Sequence, residues 1–240
     1  MGTISRIARH SNQDPSELFL YDDCKEIRMY EGCPGLDPGI IQRGVSLSHY
    51  STLGIGGKAR YLAGVRNQAN LLTLLDWSRA EKIPSLIVGE GSNFLFPDSG
   101  FPGLVLRVLI PGIEQEGDEV VVGAGENLGS LIEYLNRRCL KGLERMYGIP
   151  GTLAGAVVGN AGAYGQETCG ALSSATVLRS DGTIKVLPAA RLHFRYRHSL
   201  FKEDRSLVLL RCRLRLTPGG ERLQEVSNSI LEKRSRKYPS

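Results

Sequence analysis

The sequence predicts a mixed fold in which strands and helices alternate around glycine-rich loops. Three observations carry that expectation. Short apolar runs of strand length alternate with two stretches of helical period. The 29 glycines amount to about twelve per hundred residues against a usual value of about seven, and they cluster at 54–57, 89–103, 123–129 and 148–170. Residues 208–216 place Val208, Leu210, Cys212, Leu214 and Leu216 between Arg211, Arg213 and Arg215. That alternation marks a strand with one buried and one solvated face.

The elements follow in order. Residues 1–44 show no sustained period, with Pro15, Pro34 and Pro38 scattered through them, and are expected to form a poorly ordered extension. The globular pattern is expected from Val45. Residues 59–65 read as a short strand. Residues 67–82 are the clearest amphipathic helix: Leu71, Leu74, Leu75 and Ser78 share a face, and Asn67 is a plausible cap. Pro84 ends that pattern. Residues 85–88 read as a buried strand, 104–108 as another and 119–122 as a third. A second helix is expected over 128–140, with Leu128, Leu131, Ile132 and Leu135 at helical spacing. Strands at 175–179 and 183–187 flank Asp181-Gly182, a hairpin signal because glycine tolerates the positive φ of a type I′ turn. Residues 221–237 look helical and highly charged.

Composition excludes several classes. The chain has 240 residues, enough for one large domain or two small ones. Hydrophobic residues at 41% and charged residues at 23% exclude a disordered or collagenous chain. The longest apolar run, near 153–158, is far short of the roughly 20 residues that span a bilayer, and no membrane association is expected. No signal peptide opens the chain, which favours the cytoplasm. The net charge of +5 is spread along the chain. It favours a small anionic ligand weakly and does not argue for a nucleic-acid groove. Five widely spaced cysteines contain no C-x-x-C, and the four histidines form no H-E-x-x-H, so no metal site is expected.

Three segments point to chemistry. Gly89-Glu90-Gly91-Ser92-Asn93 follows a strand directly. A G-x-G-S-N bend presents consecutive backbone N–H groups, suited to a pyrophosphate. It lacks the third glycine of a dinucleotide-binding fingerprint, and a glycine-containing turn is the competing reading. The second segment, 149–165, carries Ile149, Pro150, Gly151, Thr152, Gly155, Asn160, Gly162 and Tyr164 among many small residues. Small side chains let the backbone lie flat against a ligand, or alternatively let a helix pack closely. Asn160 and Tyr164 need polar partners if buried. The third segment interleaves aromatic and basic residues at Phe194-Arg195-Tyr196-Arg197-His198-Ser199-Leu200-Phe201-Lys202. It reads as a surface loop or as an arginine clamp for a carboxylate.

Together with Ser51-Thr52-Leu53-Gly54-Ile55-Gly56-Gly57-Lys58-Ala59-Arg60-Tyr61, and with Asp98-Ser99-Gly100-Phe101-Pro102-Gly103 behind the glycine loop, these segments resemble the MurB-type UDP-N-acetylenolpyruvoylglucosamine reductases. The resemblance covers about residues 45–240. It implies an α+β fold of two subdomains, the FAD-binding fold of the PCMH and vanillyl-alcohol-oxidase flavoproteins. Subdomain 1 is expected over 45–110, subdomain 2 over 111–218, and a helix over 219–240 leading towards a substrate domain. It implies non-covalent FAD held by Gly89, Glu90, Gly91, Ser92, Asn93, Ile149, Pro150, Gly151, Thr152, Gly155, Asn160, Gly162 and Tyr164. It further implies NADPH as hydride donor, a UDP-sugar substrate contacted by Tyr196 and Ser199, and Arg197 as the catalytic arginine. The family's G-S-x-F-K-N-P segment, whose serine donates a proton, does not occur in these 240 residues. That raises the expectation of a complementing chain, of a catalytically incomplete flavin-binding module, or of a wider PCMH-class oxidase. Arg195 and His198 stand where Gly and Asp are commoner in the family, and Gly159 where some members carry glutamine.

Overall fold

The computed structural model describes Leu36 and residues 40–237. The expectation for the N-terminal extension falls almost wholly outside the described residues, as do Tyr238, Pro239 and Ser240.

Strands β1 (Ile41–Ser46), β2 (Lys58–Val65), β3 (Ser85–Val88) and β4 (Phe101–Val108) form a four-stranded sheet in the order β1-β2-β4-β3. β1 pairs antiparallel with β2, while β2, β4 and β3 run parallel. Parallel neighbours need a crossover, and helix α1 (Gln68–Ala80) supplies it between β2 and β3. Asn67 caps α1, its side chain accepting from Asn70 N–H at 2.8 Å. Leu71, Leu74, Leu75 and Ser78 are buried as the spacing predicts. The buried Ser78 hydroxyl is satisfied by donating to Ile83 O at 2.7 Å.

The second sheet is entirely antiparallel, in the order β11-β10-β12-β6-β5. It is built from β5 (Ile113–Glu116), β6 (Glu119–Gly123), β10 (Leu172–Leu178), β11 (Ile184–Pro188) and β12 (Val208–Arg215). The first sheet thus draws on residues 41–108 and the second on 113–215. One continuous core joins them, including Leu104 and Leu106 of the first sheet and Val120, Val177 and Leu214 of the second. Each such fully buried Leu or Val contributes about 1.5–3 kcal/mol. A smaller cluster of Leu62, Val88 and Val105 covers the opposite face of the first sheet under Leu47 and Phe96.

Helix α2 (Leu128–Arg137) buries Leu128, Leu131, Ile132 and Leu135. Short β7 (Leu140–Lys141) follows it and pairs with β13 (Thr217–Pro218). Helix α3 (Leu153–Val158) leads into a small hairpin of β8 (Gly162–Ala163) and β9 (Gln166–Glu167). Helix α4 (Leu200–Glu203) precedes β12, and α5 (Leu223–Lys237) closes the described chain. α5 buries Leu223, Ser227 and Ile230, one stripe of an otherwise charged helix. Its Ser227 hydroxyl donates to Glu144 O at 3.0 Å and accepts from Asn136 Nδ2 at 2.9 Å. No helix among the described residues is long and apolar enough to cross a membrane.

Several expectations are corrected. β1 begins at Ile41, four residues before the expected start of the globular pattern, and Ile41 is buried opposite Ala63. β3 is an edge strand with only Val88 buried, not a buried strand. The second helix stops at Arg137, because Cys139 adopts a left-handed φ of 54° and Leu140 enters β7. The Asp181 turn is not type I′. Gly182 N–H donates to Arg179 O, Arg179 N–H donates to Thr183 O, and only Gly182 has positive φ. This is a type I turn closed by a left-handed glycine.

Candidate functional site

The residues 89–93 bend leaves the end of β3 and is fastened from three sides. Ser51 Oγ donates to Phe94 O and Thr52 Oγ1 to Ser92 O, both at 3.1 Å. Ser92 Oγ donates to Pro150 O at 3.1 Å. The Glu90 carboxylate accepts from Asn127 Nδ2 at 3.2 Å. Asn127 at the same time caps α2 through Ser130 N–H and bridges to Thr152. The structure therefore brings the first and second predicted segments into contact.

Two glycines permit this approach. Gly91 sits at φ +74°, and a Cβ there would overlap the Tyr50 carbonyl oxygen. The glycine is needed for the protein's own backbone, before any ligand is considered. Gly151 sits at φ +116°, where a Cβ would lie 2.6 Å from Ser92 Oγ.

The donors in these bends fit an anionic dinucleotide. No acceptor within the described residues receives the backbone N–H groups of Glu90, Gly91, Ser92 and Asn93, or those of Gly151 and Thr152. Polar groups of this kind are normally paired, and two adjacent runs of free N–H donors suit a diphosphate. Thr152 contributes through its backbone only. It is buried, and its hydroxyl caps α3 by accepting from Gly155 N–H at 3.2 Å.

The other end of α3 carries a second constellation, about 9 Å away by helical rise. A shallow cleft of ≈ 280 Å³ opens between Gly162, Ala163, Tyr164, Gln166, Tyr196 and Arg197. The third predicted segment forms a tight turn, with Arg195 N–H donating to His198 O at 3.2 Å and His198 N–H to Arg195 O at 3.0 Å. Tyr196 and Arg197 occupy its apex. Tyr196 is 82% exposed. Arg197 takes φ +53°, and its Nη2 donates to Gly162 O at 3.2 Å. A non-glycine residue in this region costs on the order of 1 kcal/mol or more.

Two residues expected at the ligand are buried and bonded within the protein. Ser199 is fully buried and its hydroxyl donates to Val158 O at 2.7 Å, so it fixes the turn to α3 and does not face the cleft. Asn160 is also buried. Its Nδ2 donates to Glu167 Oε2 and Arg195 O, and its Oδ1 accepts from Cys169 N–H at 3.1 Å. Asn160 is an internal brace, and its left-handed φ of 41° turns the chain from α3 into β8. Ile149 is half-buried, while Pro150, Gly155 and Tyr164 are exposed.

The sequence reading missed Asn127, Arg145 and Glu203. Asn127 was detectable as a cap before a helical run. Arg145 Nη1 donates to Tyr164 O at 3.3 Å, and its N–H to Gln166 Oε1 at 2.7 Å, holding the β8–β9 hairpin. Glu203 receives His198 Nε2 at 2.7 Å, His193 Nδ1 at 2.8 Å and Arg195 Nη2 at 3.2 Å. The His198 and His193 imidazoles, in that order, hold the Glu203 carboxyl down at about 2. Burial pushes the Cys169 thiol up and does the same to Cys212. Among the described residues, no group of three or more His, Cys, Asp or Glu is arranged to hold a metal ion.

Comparison with known proteins agrees with this geometry. A family profile described as "FAD binding domain" matches residues 59–187. The UDP-N-acetylenolpyruvoylglucosamine reductase of Lactobacillus delbrueckii subsp. bulgaricus is 40% identical over 176 residues, which cover 73% of this chain and 58% of that protein. The chain thus spans less than two thirds of that relative's length. The crystal structure of UDP-N-acetylenolpyruvylglucosamine reductase from Thermus caldophilus superposes with a TM-score of 0.70 at 32% identity, covering 83% of this chain and 71% of that one. Cholesterol oxidase from Brevibacterium sterolicum shares only 12% identity, yet its TM-score is 0.53. That likeness bears on the fold alone, the α+β architecture of the PCMH and vanillyl-alcohol-oxidase type. The two facing backbone bends, the four ordered motifs and these relatives lead to one assignment: the chain belongs to the UDP-N-acetylenolpyruvoylglucosamine reductase family of oxidoreductases, and it carries that family's FAD-binding domain.

Proposed function

We propose that this chain carries the flavin-binding part of an enzyme that reduces UDP-N-acetylenolpyruvoylglucosamine to UDP-N-acetylmuramate, a step of peptidoglycan precursor synthesis in the cytoplasm. The observation that carries the reading is the pair of facing N–H runs at 90–93 and 151–152, joined by the Ser92–Pro150 hydrogen bond. Backbone donors of Glu90, Gly91, Ser92, Asn93, Gly151 and Thr152 would hold the diphosphate of FAD. Gly155, Gly162 and Tyr164, further along the same segment, would lie along the rest of the cofactor. When bound, FAD supplies hydride-transfer chemistry, with NADPH as the source of the hydride.

The protein's part is to bind and polarise. Net reduction adds a hydride and a proton across the enolpyruvyl double bond and converts NADPH to its oxidised form. Negative charge develops on the substrate carboxylate as the hydride arrives. The Arg197 guanidinium, permanently charged and fixed on a strained turn beside the cleft, stabilises that charge more in the transition state than in the ground state. Tyr196 supplies an exposed aromatic face next to it.

The absorbance spectrum of the purified chain tests the first half. Bands of oxidised flavin at about one cofactor per chain are expected, and a folded chain that takes up no added FAD would refute the reading. Incubation with NADPH and the enolpyruvyl sugar nucleotide tests the second. Product formed by these 240 residues alone makes the chain a complete catalyst. Product formed only when a second polypeptide is added makes it the flavin-binding half of a two-part enzyme.

A further inference from the structure

We propose that Glu203 is a positioning residue for Arg197: its carboxylate grips both feet of the turn that presents the guanidinium. The inference rests on the reading of Arg197 given above. It goes beyond it by assigning the device that keeps the arginine in place.

The turn needs such a device. Its apex residue has φ +53°, at a position where tight turns of this form usually place glycine. An arginine stays there only when its surroundings over-determine the conformation. The Arg197 side chain is tied to Gly162 O, and its carbonyl oxygen accepts from Lys202 Nζ at 2.7 Å. Neither contact is to the feet, which pair through their own backbone groups and, at Arg195 O, with Asn160. Glu203 adds a side-chain grip on both: Oε1 accepts from Arg195 Nη2 on one foot and from His198 Nε2 on the other. Oε2 accepts from His193 Nδ1, which joins the turn to the chain segment entering it.

The carboxylate itself sits on a fixed base. α4 is anchored by buried Phe201, by Ser199 Oγ bonded to Val158 O, and by Leu200 N–H donating to Leu192 O at 2.7 Å. One acceptor group therefore serves three donors drawn from both sides of the apex. Arg195 and His198, on either side of the apex, both bind Glu203.

Glu203→Gln tests this, because an amide offers one acceptor oxygen and puts a donor against the remaining imidazole. With the FAD-loaded chain, the loss of flavin absorbance on adding NADPH is followed first, then its return on adding the enolpyruvyl sugar nucleotide. The variant is expected to keep its FAD content and its rate of reduction by NADPH, while the sugar-nucleotide step slows by about tenfold or more. Amide hydrogen exchange on the same protein provides a readout independent of turnover. The N–H groups of Arg195 and His198 are expected to exchange about tenfold faster in the variant, with β12 unchanged. Equal slowing of both steps together with loss of FAD would mark general destabilisation and overturn the proposal. Unchanged exchange at 195–198 would overturn it as well. If the wild-type chain reduces the sugar nucleotide neither alone nor with a second polypeptide, the functional reading falls and exchange alone decides the clamp.

Discussion

Ser92 Oγ donates to the carbonyl oxygen of Pro150 at 3.1 Å, across 58 positions of sequence. That bond joins the bend after β3 to the segment that starts α3, and it sets side by side two runs of backbone donors that have no acceptor among the described residues. The proposed cofactor site is therefore built by the main chain, with side chains serving mainly as fasteners. Mutational effects should follow that division.

Gly91 and Gly165 separate backbone packing from mere turn preference. Both have positive φ, but a Cβ at Gly91 would overlap Tyr50 O, whereas nothing lies within 4 Å of one at Gly165. Gly165→Ala should cost about 1 kcal/mol from the left-handed backbone alone. Gly91→Ala should cost several-fold more and abolish flavin uptake, because residues 89–93 must move away from Tyr50. Thermal unfolding and flavin absorbance of the two variants check this. Similar losses at both positions would show that the Tyr50 approach is unimportant.

Asn127→Ala removes two side-chain roles at once, the α2 cap and a partner of Glu90, and leaves the main-chain bridge to Thr152 in place. Cap loss costs about 1 kcal/mol. The exposed Glu90 contact adds little to stability by itself. We expect a fall of about 1–2 kcal/mol in unfolding free energy by denaturant titration, together with weaker FAD binding. Ser130→Ala, which keeps the donating N–H, should change neither quantity appreciably.

Most of the scaffold was legible from the chain. Period-2 and period-3.6 patterns located β2, α1, β4, β6 and β12, and cap chemistry located Asn67. β5 escaped because Ile113–Glu116 carries one apolar residue and lies at a sheet edge. β8 and β9 escaped because two-residue strands have no period. In the candidate site, sequence order pointed to segments that the fold brings together, but not to which side chains are consumed internally. The family resemblance gave Ser199 and Asn160 as ligand contacts. Their burial and their bonds to Val158 O, Arg195 O and Cys169 N–H emerge only from tertiary packing. Glu203 carried no local signal, since its partners lie 5, 8 and 10 positions away and converge only when the chain turns at 195–198.

Arg197→Lys keeps the positive charge but loses the planar fork and the fixed geometry of the guanidinium. Reduction of the enolpyruvyl substrate should fall by about 10²–10³-fold, the scale for removing one preorganised charge-stabilising donor. FAD content should stay at wild-type level, because the 89–93 and 151–152 donors are at the far end of α3. The comparison of kcat/KM with flavin stoichiometry checks the separation. A variant that loses flavin and activity in parallel would place Arg197 in cofactor binding instead.

Acid should loosen the Arg197 turn in a defined window. The Glu203 carboxyl is held down at about 2 by His198 and then His193, against an ordinary value of 4.5. A carboxyl with a lowered folded-state pKa contributes stability that is fully present above the unfolded value. That contribution is lost as pH falls from 4.5 through about 2. Arg195, His193, His198 and Lys202 crowd this carboxylate and its turn, so protonating it removes a negative charge from among them. The difference in Tm between the wild type and Glu203→Gln should accordingly be largest above pH 4.5 and close as pH approaches 2. Glu119, whose carboxyl is lowered by Arg213 and Arg215, and Asp204, lowered by Ser206, titrate in both proteins and cancel in that difference. A Tm gap that stays constant from pH 5 to pH 2 would mean that the imidazole contacts do not stabilise the ionised form.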